Sequence, residues 1–438
     1  MPVGPELIAI LALVALFVVG TLLPINMGAL AYVAAWLVGM YALGWDEREI
    51  LAGVSGDLIL TLIGVTYLFA IARNNGTVDL IVATAVRAVG GRVALIPWVM
   101  FGVTALLTSI GAASPAACAI IGPIALGFAG RYKINPLMMG MFVVHGAQGG
   151  GFSPISIYGV ITNSVMEQAG LPVGELTLFF SSLVVNLIMA TILFVLLGGR
   201  QLMSQRLDPD DDTVHGHREG VSVPARGTGD STSSTIQAQG VRRDQVLTLV
   251  AFVGVAVVAL VFEKNIGFVA ITAAVILAML NAQEHKDAVK QIAWPTVLLV
   301  AGVSTYATIL SASGSPEYVG RWAAGLGVAA LGALVLCYVG GVVSAFASST
   351  ALLPIIIPIA VPLISEGGIN AVLFVAALAI SSTIVDVSPF STNGALMLAN
   401  RPDSVEERVY YKQILTYSVI VVLVGPLLVW AALVLPGW

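Results

Sequence analysis

Apolar runs cover nearly the whole chain, interrupted by short polar breaks and one long polar stretch. They fall near 5–23, 27–44, 54–73, 93–110, 116–129, 134–147, 157–168 and 174–198, and resume near 244–262, 266–283, 294–311, 326–346, 351–365, 369–385, 390–399 and 413–435. In lipid every backbone polar group has to be satisfied internally, so apolar runs of about twenty residues read as spanning helices. The stretch between the two sets, about 200–243, is rich in Asp, Ser, Gly and Arg with no apolar period, and reads as a flexible linker. The predicted organisation is a first membrane repeat over 1–199, the linker over 200–243 and a second membrane repeat over 244–438.

Composition agrees. The 438 residues are 58% hydrophobic and 10% charged, with a mean hydropathy of +0.97. A soluble domain carries about a quarter of its residues charged, so lipid must be part of the solvent. The net charge of −5 adds little, because the side on which Lys and Arg fall matters more than their sum. Cys118 and Cys337 each sit alone in an apolar run and read as small core residues. The opening MPVGPE has no Lys or Arg ahead of the run at Leu7, which predicts a retained first helix rather than a cleaved signal peptide. No phosphate-cradling loop, nucleophile–base pair or metal cluster is visible, so an enzyme and an ATP-driven pump both lose ground. No nucleic-acid partner and no organic cofactor is expected.

The two halves repeat one another. At a fixed offset of 235, TSIGAASPAACAIIGPIA lies on VSAFASSTALLPIIIPIA, pairing Ser109 with Ser344, Ser114 with Ser349 and Pro123 with Pro358. The same offset carries Asn135 onto Asn370, and Ser153-Pro154-Ile155-Ser156 with Gly159 onto Ser388-Pro389-Phe390-Ser391 with Gly394. About fifteen of the fifty-two positions aligned in this way are identical, the weak internal symmetry of transporter repeats. Asn26 to Met40 also resembles Asn265 to Met279 at a slightly different offset. Apolar bias alone would align Ile and Ala, but not Ser, Pro, Asn and Gly as well.

Charge gives the orientation. With five crossings and one same-side hairpin per half, Arg73, Arg87, Arg92, Arg131, Lys133, Arg200 and Arg206 share a side with Lys286, Lys290, Arg401, Arg408 and Lys412. The loops on the other side, including GWDEREI, EQAGLPVGE and ISEGGIN, carry at least as many acids as bases. By the positive-inside rule the halves are inverted, the linker is cytoplasmic and both termini are external. The second hairpin arm, 116–129, is only about 14 residues, short of a span, and its tip Gly111-Ala112-Ala113-Ser114-Pro115 has the composition of broken backbone. The stretch 77–90 reads as an amphipathic interfacial helix. The expected fold is an all-α integral membrane protein of two inverted repeats, with about ten transmembrane helices, two re-entrant hairpins and broken helices.

The chemistry follows from an absence. No Lys or Arg occurs between Ile134 and Gly199, or between Ser344 and Asn400, the spans that hold HGAQGGGFSPISIYG and STIVDVSPFSTNG. Gly and Pro break the helices there, and such backbone survives at depth only where it lines a protein-covered, watered cavity. Half-helices starting near Ser114, Ser156, Ser349 and Ser391 would point their N-termini inward, a fit for a carboxylate. The hydroxyls of Ser114, Ser153, Ser156, Ser349, Thr350, Ser388, Ser391 and Thr392, with the Asn393 amide, are the candidate substrate ligands. Close packing is the competing explanation for any single Ser; the doubled set on paired breaks favours a site. Gly146, Gly149, Gly150 and Gly151 are expected to serve backbone approach.

Asp386 stands beside the second break, where the first half has Gly151. It is a candidate Na⁺ ligand with backbone at Ala113, Gly150 and Ser348, a candidate proton acceptor, or a capping carboxylate for the next half-helix. His145 is expected to be a core histidine bonded to a backbone carbonyl rather than a proton relay.

PINMGALAYVAAWLVG, VTYLFAIARNNGTVD, HGAQGGGFSPISIYGVITN, SAFASSTALLP and TIVDVSPFSTNGAL resemble the malonate/dicarboxylate carrier family of the ion transporter superfamily, relatives of the divalent anion/sodium symporters. The resemblance implies a scaffold and a transport domain, a homodimer and elevator-type movement in the lipid bilayer of a bacterial cytoplasmic membrane. In the symporters, Ser-Asn-Thr at the hairpin tips grips substrate carboxylates and Na⁺ sites flank them. Here the tips read Ala113-Ser114-Pro115 and Ser348-Ser349-Thr350, and the amide stands at Asn393 instead. The expected function is cation-coupled transport of a small dicarboxylate anion. A cation/proton antiporter centred on Asp386, and the membrane subunit of a binding-protein-dependent uptake system, are the alternatives.

Overall fold

The computed structural model describes residues 4–23, 25–87, 92–203, 242–262, 264–324, 329–345 and 349–436. Most of the stretch read as a linker, and Ser348 of the expected cation set, lie outside these residues. The described residues form helices and no β-strand. Nine principal helices build the first half: α1 (Pro5–Leu22), α2 (Met27–Val38), α3 (Gly56–Asn74), α4 (Thr77–Arg87), α5 (Ile96–Ser109), α6 (Ser114–Arg131), α7 (Pro136–Gly150), α8 (Ile157–Gln168) and α9 (Glu175–Leu196). Nine more build the second: α10 (Arg243–Val261), α11 (Ile266–Leu280), α12 (Trp294–Ala312), α13 (Ser315–Ala324), α14 (Ala329–Ser344), α15 (Ser349–Gly367), α16 (Ala371–Ile384), α17 (Thr392–Ala399) and α18 (Glu407–Leu433). Each helix of the first half corresponds to the helix nine places later.

The repeated asparagines turn out to be helix caps. The side-chain oxygens of Asn26, Asn135, Asn265 and Asn370 accept the N–H of Gly28, Met138, Phe268 and Leu373 respectively. Each satisfies one of the backbone donors that a helix start leaves without an internal acceptor. The Asn26 amide then reaches the Pro295 carbonyl at 3.0 Å, and the Asn265 amide reaches Asp57. In both cases the cap of one half is tied to the helix that opens beside it in the other half.

That exchange forms one body of the molecule, the scaffold. α2 packs along α12, and α11 along α3. The crossings are close because glycines meet there. A Cβ on Gly28 would stand 2.1 Å from the Leu298 carbonyl oxygen, and one on Gly302 would stand 2.0 Å from that of Gly28. The equivalent crossing brings Gly64 to Gly267, with 2.7 Å between a Cβ and the Gly267 oxygen. Small residues at such points let two backbones approach in a membrane helix pair.

The other body is a bundle of α5–α9 and α14–α18. α5 packs on α7 and α14 on α16, α9 and α18 flank them, and the cross-half pairs α6–α17 and α8–α15 close the centre. The bundle touches the scaffold unevenly. α8 packs on α3, and α15 packs on α12 and α13, whereas among the described residues α6 and α17 make no comparable contact with it.

Among the described residues, six helices, α1, α3, α6, α9, α12 and α18, are long and apolar enough to cross a membrane. One of them corrects an expectation. The second hairpin arm is not about 14 residues; α6 runs 18 residues from Ser114 to Arg131, because the last polar turn stays helical. Shortness therefore does not mark the hairpin. At the turn between α5 and α6, Gly111 takes φ +106° and the chain reverses into the buried Ser114.

A candidate site where four half-helices meet

The Ser-Pro-x-Ser-x-x-Gly pattern builds the break itself. Ser156 and Ser391 are N-caps, their Oγ atoms accepting the N–H of Gly159 at 3.4 Å and of Gly394 at 3.3 Å. Each then donates its own proton back to the loop, Ser156 between the carbonyls of Gly151 at 2.5 Å and Ser153 at 2.7 Å, and Ser391 to the Ser388 carbonyl at 2.7 Å. Ser153 and Ser388 fasten the loop to the hairpin beside it, donating to the carbonyls of Ser109 at 2.6 Å and Ala345 at 3.3 Å. The glycine closes the pattern because the loop folds onto it: a Cβ at Gly159 or Gly394 would stand 2.0 or 1.9 Å from the Ser153 or Ser388 oxygen. A serine hydroxyl has one proton and two lone pairs. In this arrangement these four serines have directed their protons to carbonyls, and lone pairs are what they offer a ligand.

The half-helix starts meet in two cross-half pairs. The Asn393 amide, at the start of α17, donates to the Ser114 hydroxyl at the start of α6 over 2.8 Å. At the start of α8, Tyr158 is buried where α8 packs on α15, which opens at Ser349. Asn393 and Tyr158 are themselves partners at the offset of 235, as are Ser114 and Ser349. Ser349 also shares a hydrogen bond with Ser344 at 2.7 Å and donates to the Ser382 carbonyl at 3.2 Å. First-turn N–H groups lack acceptors within their own helix, so this junction carries the positive ends of four helix dipoles.

The two pairs differ in charge. Asn393 gives its second amide proton to the Asp386 carboxylate at 2.9 Å. With both amide protons committed, the buried Asn393 Oδ1 has no hydrogen-bond partner among the described residues. Reversing the amide would set that oxygen against the carboxylate, so the assignment follows from the neighbours. In the other half Gly151 takes the place of Asp386, and a Cβ there would stand 2.8 Å from the Tyr158 ring. The tyrosine ring occupies the space that a carboxylate would need.

The remaining candidates are placed as follows. Thr392 is exposed and Thr350 half-buried, while Ala113 is half-buried at the N-cap of α6. Gly150 is buried against α5, where a Cβ would meet the Ala105 oxygen at 1.9 Å, and its carbonyl accepts the Ser109 hydroxyl at 3.3 Å. No Lys or Arg is buried among the described residues, and no group of three or more metal-ligating side chains occurs among them.

Sequence reasoning overlooked Tyr158, although the offset from Asn393 pointed to it. It also missed the partners of His145, which are side chains rather than a backbone carbonyl. The Asn186 amide donates to the Ser182 carbonyl at 2.9 Å, so its oxygen faces His145 Nδ1 at 2.8 Å and Nδ1 carries the proton. Nε2 then accepts from the Tyr417 hydroxyl at 2.6 Å. This triad lies between α7, α9 and α18, apart from the four half-helix starts.

Comparison with known proteins bears on the same architecture. Residues 3–151 match the family described as dicarboxylate carrier protein MatC N-terminus, and residues 258–437 match the citrate transporter family. Comparison with curated proteins gives no match. Among solved structures the chain is similar to the YdaH transporter of Alcanivorax borkumensis, with a TM-score of 0.57 and 13% identity, covering 87% of this chain and 86% of that one. At that identity the likeness is one of fold, and that fold belongs to a transporter described as having an unusual topology. The matched families are of transporters, not enzymes, and with the apolar helices they indicate a multi-pass membrane transporter whose first and second halves are similar to the dicarboxylate carrier and citrate transporter families respectively.

Proposed function

We propose that the protein carries a small C3–C4 dicarboxylate, such as malonate or succinate, across a bacterial cytoplasmic membrane in symport with Na⁺ or H⁺. The observation that carries this reading is the pairing of Asp386 with the unpartnered Asn393 Oδ1. Two oxygens of this kind at the positive ends of four helices suit a cation bound beside an anion. A dianion at mid-membrane has no buried basic side chain to neutralise it, and each helix end supplies only about half a charge. A bound cation makes up the difference. The citrate name of the second family makes a tricarboxylate the natural comparison ligand.

Movement is read from the two bodies. The bundle rests on the scaffold through α8 and α15 and stands away from it at α6 and α17. With the halves inverted and the basic loops cytoplasmic, as charge indicates, this is a pose open to the cytoplasm. Thr392 and Phe390 are exposed on that side of the site. Sliding the bundle along the scaffold would expose the site to the other side, an elevator-type exchange, and a homodimer joined through the scaffolds belongs to this reading.

Uptake into proteoliposomes, with Na⁺ and proton gradients imposed separately, is the test. Stimulation of malonate or succinate uptake by one gradient is the expected result. If neither gradient drives uptake, and no di- or tricarboxylate competes, the reading fails.

A further inference from the structure

A cavity lies between the two bodies, away from the four half-helix starts. It encloses about 300 Å³ between α12 and α13 of the scaffold and α8 and α15 of the bundle. Three prolines of α15, Pro354, Pro358 and Pro362, line it at intervals of four. Residues four apart share a helix face. A proline has no N–H, so the carbonyl four residues before it loses its helical donor. Pro358 and Pro362 therefore release the carbonyls of Pro354 and Pro358, one above the other on the face that lines the cavity. Among the described residues no hydrogen bond from another element reaches either oxygen.

The opposite wall, beside Ala307, presents two hydroxyl oxygens with their protons already committed. The Ser304 hydroxyl donates to the Ala301 carbonyl at 3.1 Å, and Thr308 donates to the Ser304 carbonyl at 3.3 Å. At the mouth, the Gln168 amide donates to Ser55 at 3.1 Å, leaving its carbonyl oxygen. Glu317, exposed, adds a carboxylate there, and the described lining contains no Lys or Arg. Lone pairs and one negative charge repel a carboxylate and suit a cation, as rings of carbonyls do in ion filters.

We propose that this cavity binds a monovalent alkali cation, with Glu317 at its mouth and the Pro354 and Pro358 carbonyls with Thr308 and Ser304 inside. The ion would bridge the scaffold and the bundle and hold them in the present pose. The assignment of a holding role rests on the two-body reading above; the cation site does not.

The test uses thermal stabilisation of the full-length protein by Na⁺, without any carboxylate and with choline as the ionic-strength control. It is made in an Asp386→Asn background, so that the central carboxylate contributes nothing. The expected result is that Na⁺ still stabilises this variant. Adding Glu317→Gln or Thr308→Val should raise the half-maximal Na⁺ concentration at least about threefold, the effect of losing one charged or hydrogen-bonding ligand. Thr308→Ser, which keeps the oxygen, should restore the response and shows that the fold is intact. No Na⁺ response in the Asp386→Asn protein, or an unchanged one after Glu317→Gln and Thr308→Val together, overturns the proposal. A Na⁺ response sensitive to Glu317 in a protein that neither binds nor moves carboxylates leaves this site standing and removes the symport reading.

Discussion

Asn393 donates to Ser114 across 2.8 Å although 279 residues separate them in the chain. The tip of the first hairpin is thereby read by the broken helix of the second half. Asn393→Ala and Ser114→Ala are each expected to lower apparent dicarboxylate affinity. Because the two residues share one hydrogen bond, the double variant should lose less than the sum, with a coupling of about 0.5–3 kcal/mol. Substrate titrations on the four proteins measure it; simple additivity would mean that the contact plays no part in binding.

Asp386 separates coupling from substrate binding. Asp386→Asn keeps the shape and can still accept from Asn393, so dicarboxylate binding should persist while the dependence of uptake on the cation gradient collapses. Uptake and equilibrium binding assayed side by side give the answer. Loss of both together would make Asp386 part of the substrate grip.

His145 is expected to matter for stability and not for coupling. His145→Ala leaves Asn186 and Tyr417 without their buried partner, which costs about 1–3 kcal/mol for each group left unsatisfied. The melting temperature in detergent should fall while the cation dependence of residual uptake stays as in the parent. A changed cation or proton dependence would give the triad a transport role.

Glycine crossings make a sharper stability prediction. Gly302→Val drives a side chain into the Gly28 backbone, and overpacking of this kind costs about 1–3 kcal/mol or more. Gly102, where an added Cβ meets nothing within 4 Å, is the control: Gly102→Ala should leave the melting temperature unchanged.

Outside the spanning helices, His285 should leave a mark on pH dependence. It is buried at the end of the short helix Ala282–His285 that follows α11, and burial holds its pKa below the ordinary 6.5, with Glu284 and Asp244 acting in the other direction. Below pH 6.5 the unfolded chain takes up a proton there that the folded one does not, so folded stability declines as pH falls through that value. His285→Gln should flatten this part of the melting profile.

Sequence reasoning reached far here because the repeat is written in residues with backbone jobs. Asn at a cap, Ser at a break and Gly under a folded loop cannot be exchanged for Leu, so they persist where apolar positions drift. The choice of partner was not legible: nothing in two similar strings says whether Ser114 meets Tyr158 of its own half or Asn393 of the other. Hydroxyl direction was hidden for a related reason. Ser153 and Ser388 looked like donors to a ligand, but a proton goes to the nearest carbonyl, and only three dimensions show which one that is. The length of α6 escaped because Gly and Arg at its end weaken the apolar signal without ending the helix.

The exchange of α2 and α11 has a consequence for how the protein is made. As the ribosome delivers the first half, α2 and α3 reach the membrane before their partners exist, and their glycine faces have nothing to close on. Biosynthesis must therefore leave the first half waiting until α11 and α12 arrive. Two fragments divided between residues 203 and 242 should assemble when made together, and each made alone should be a substrate for membrane quality control.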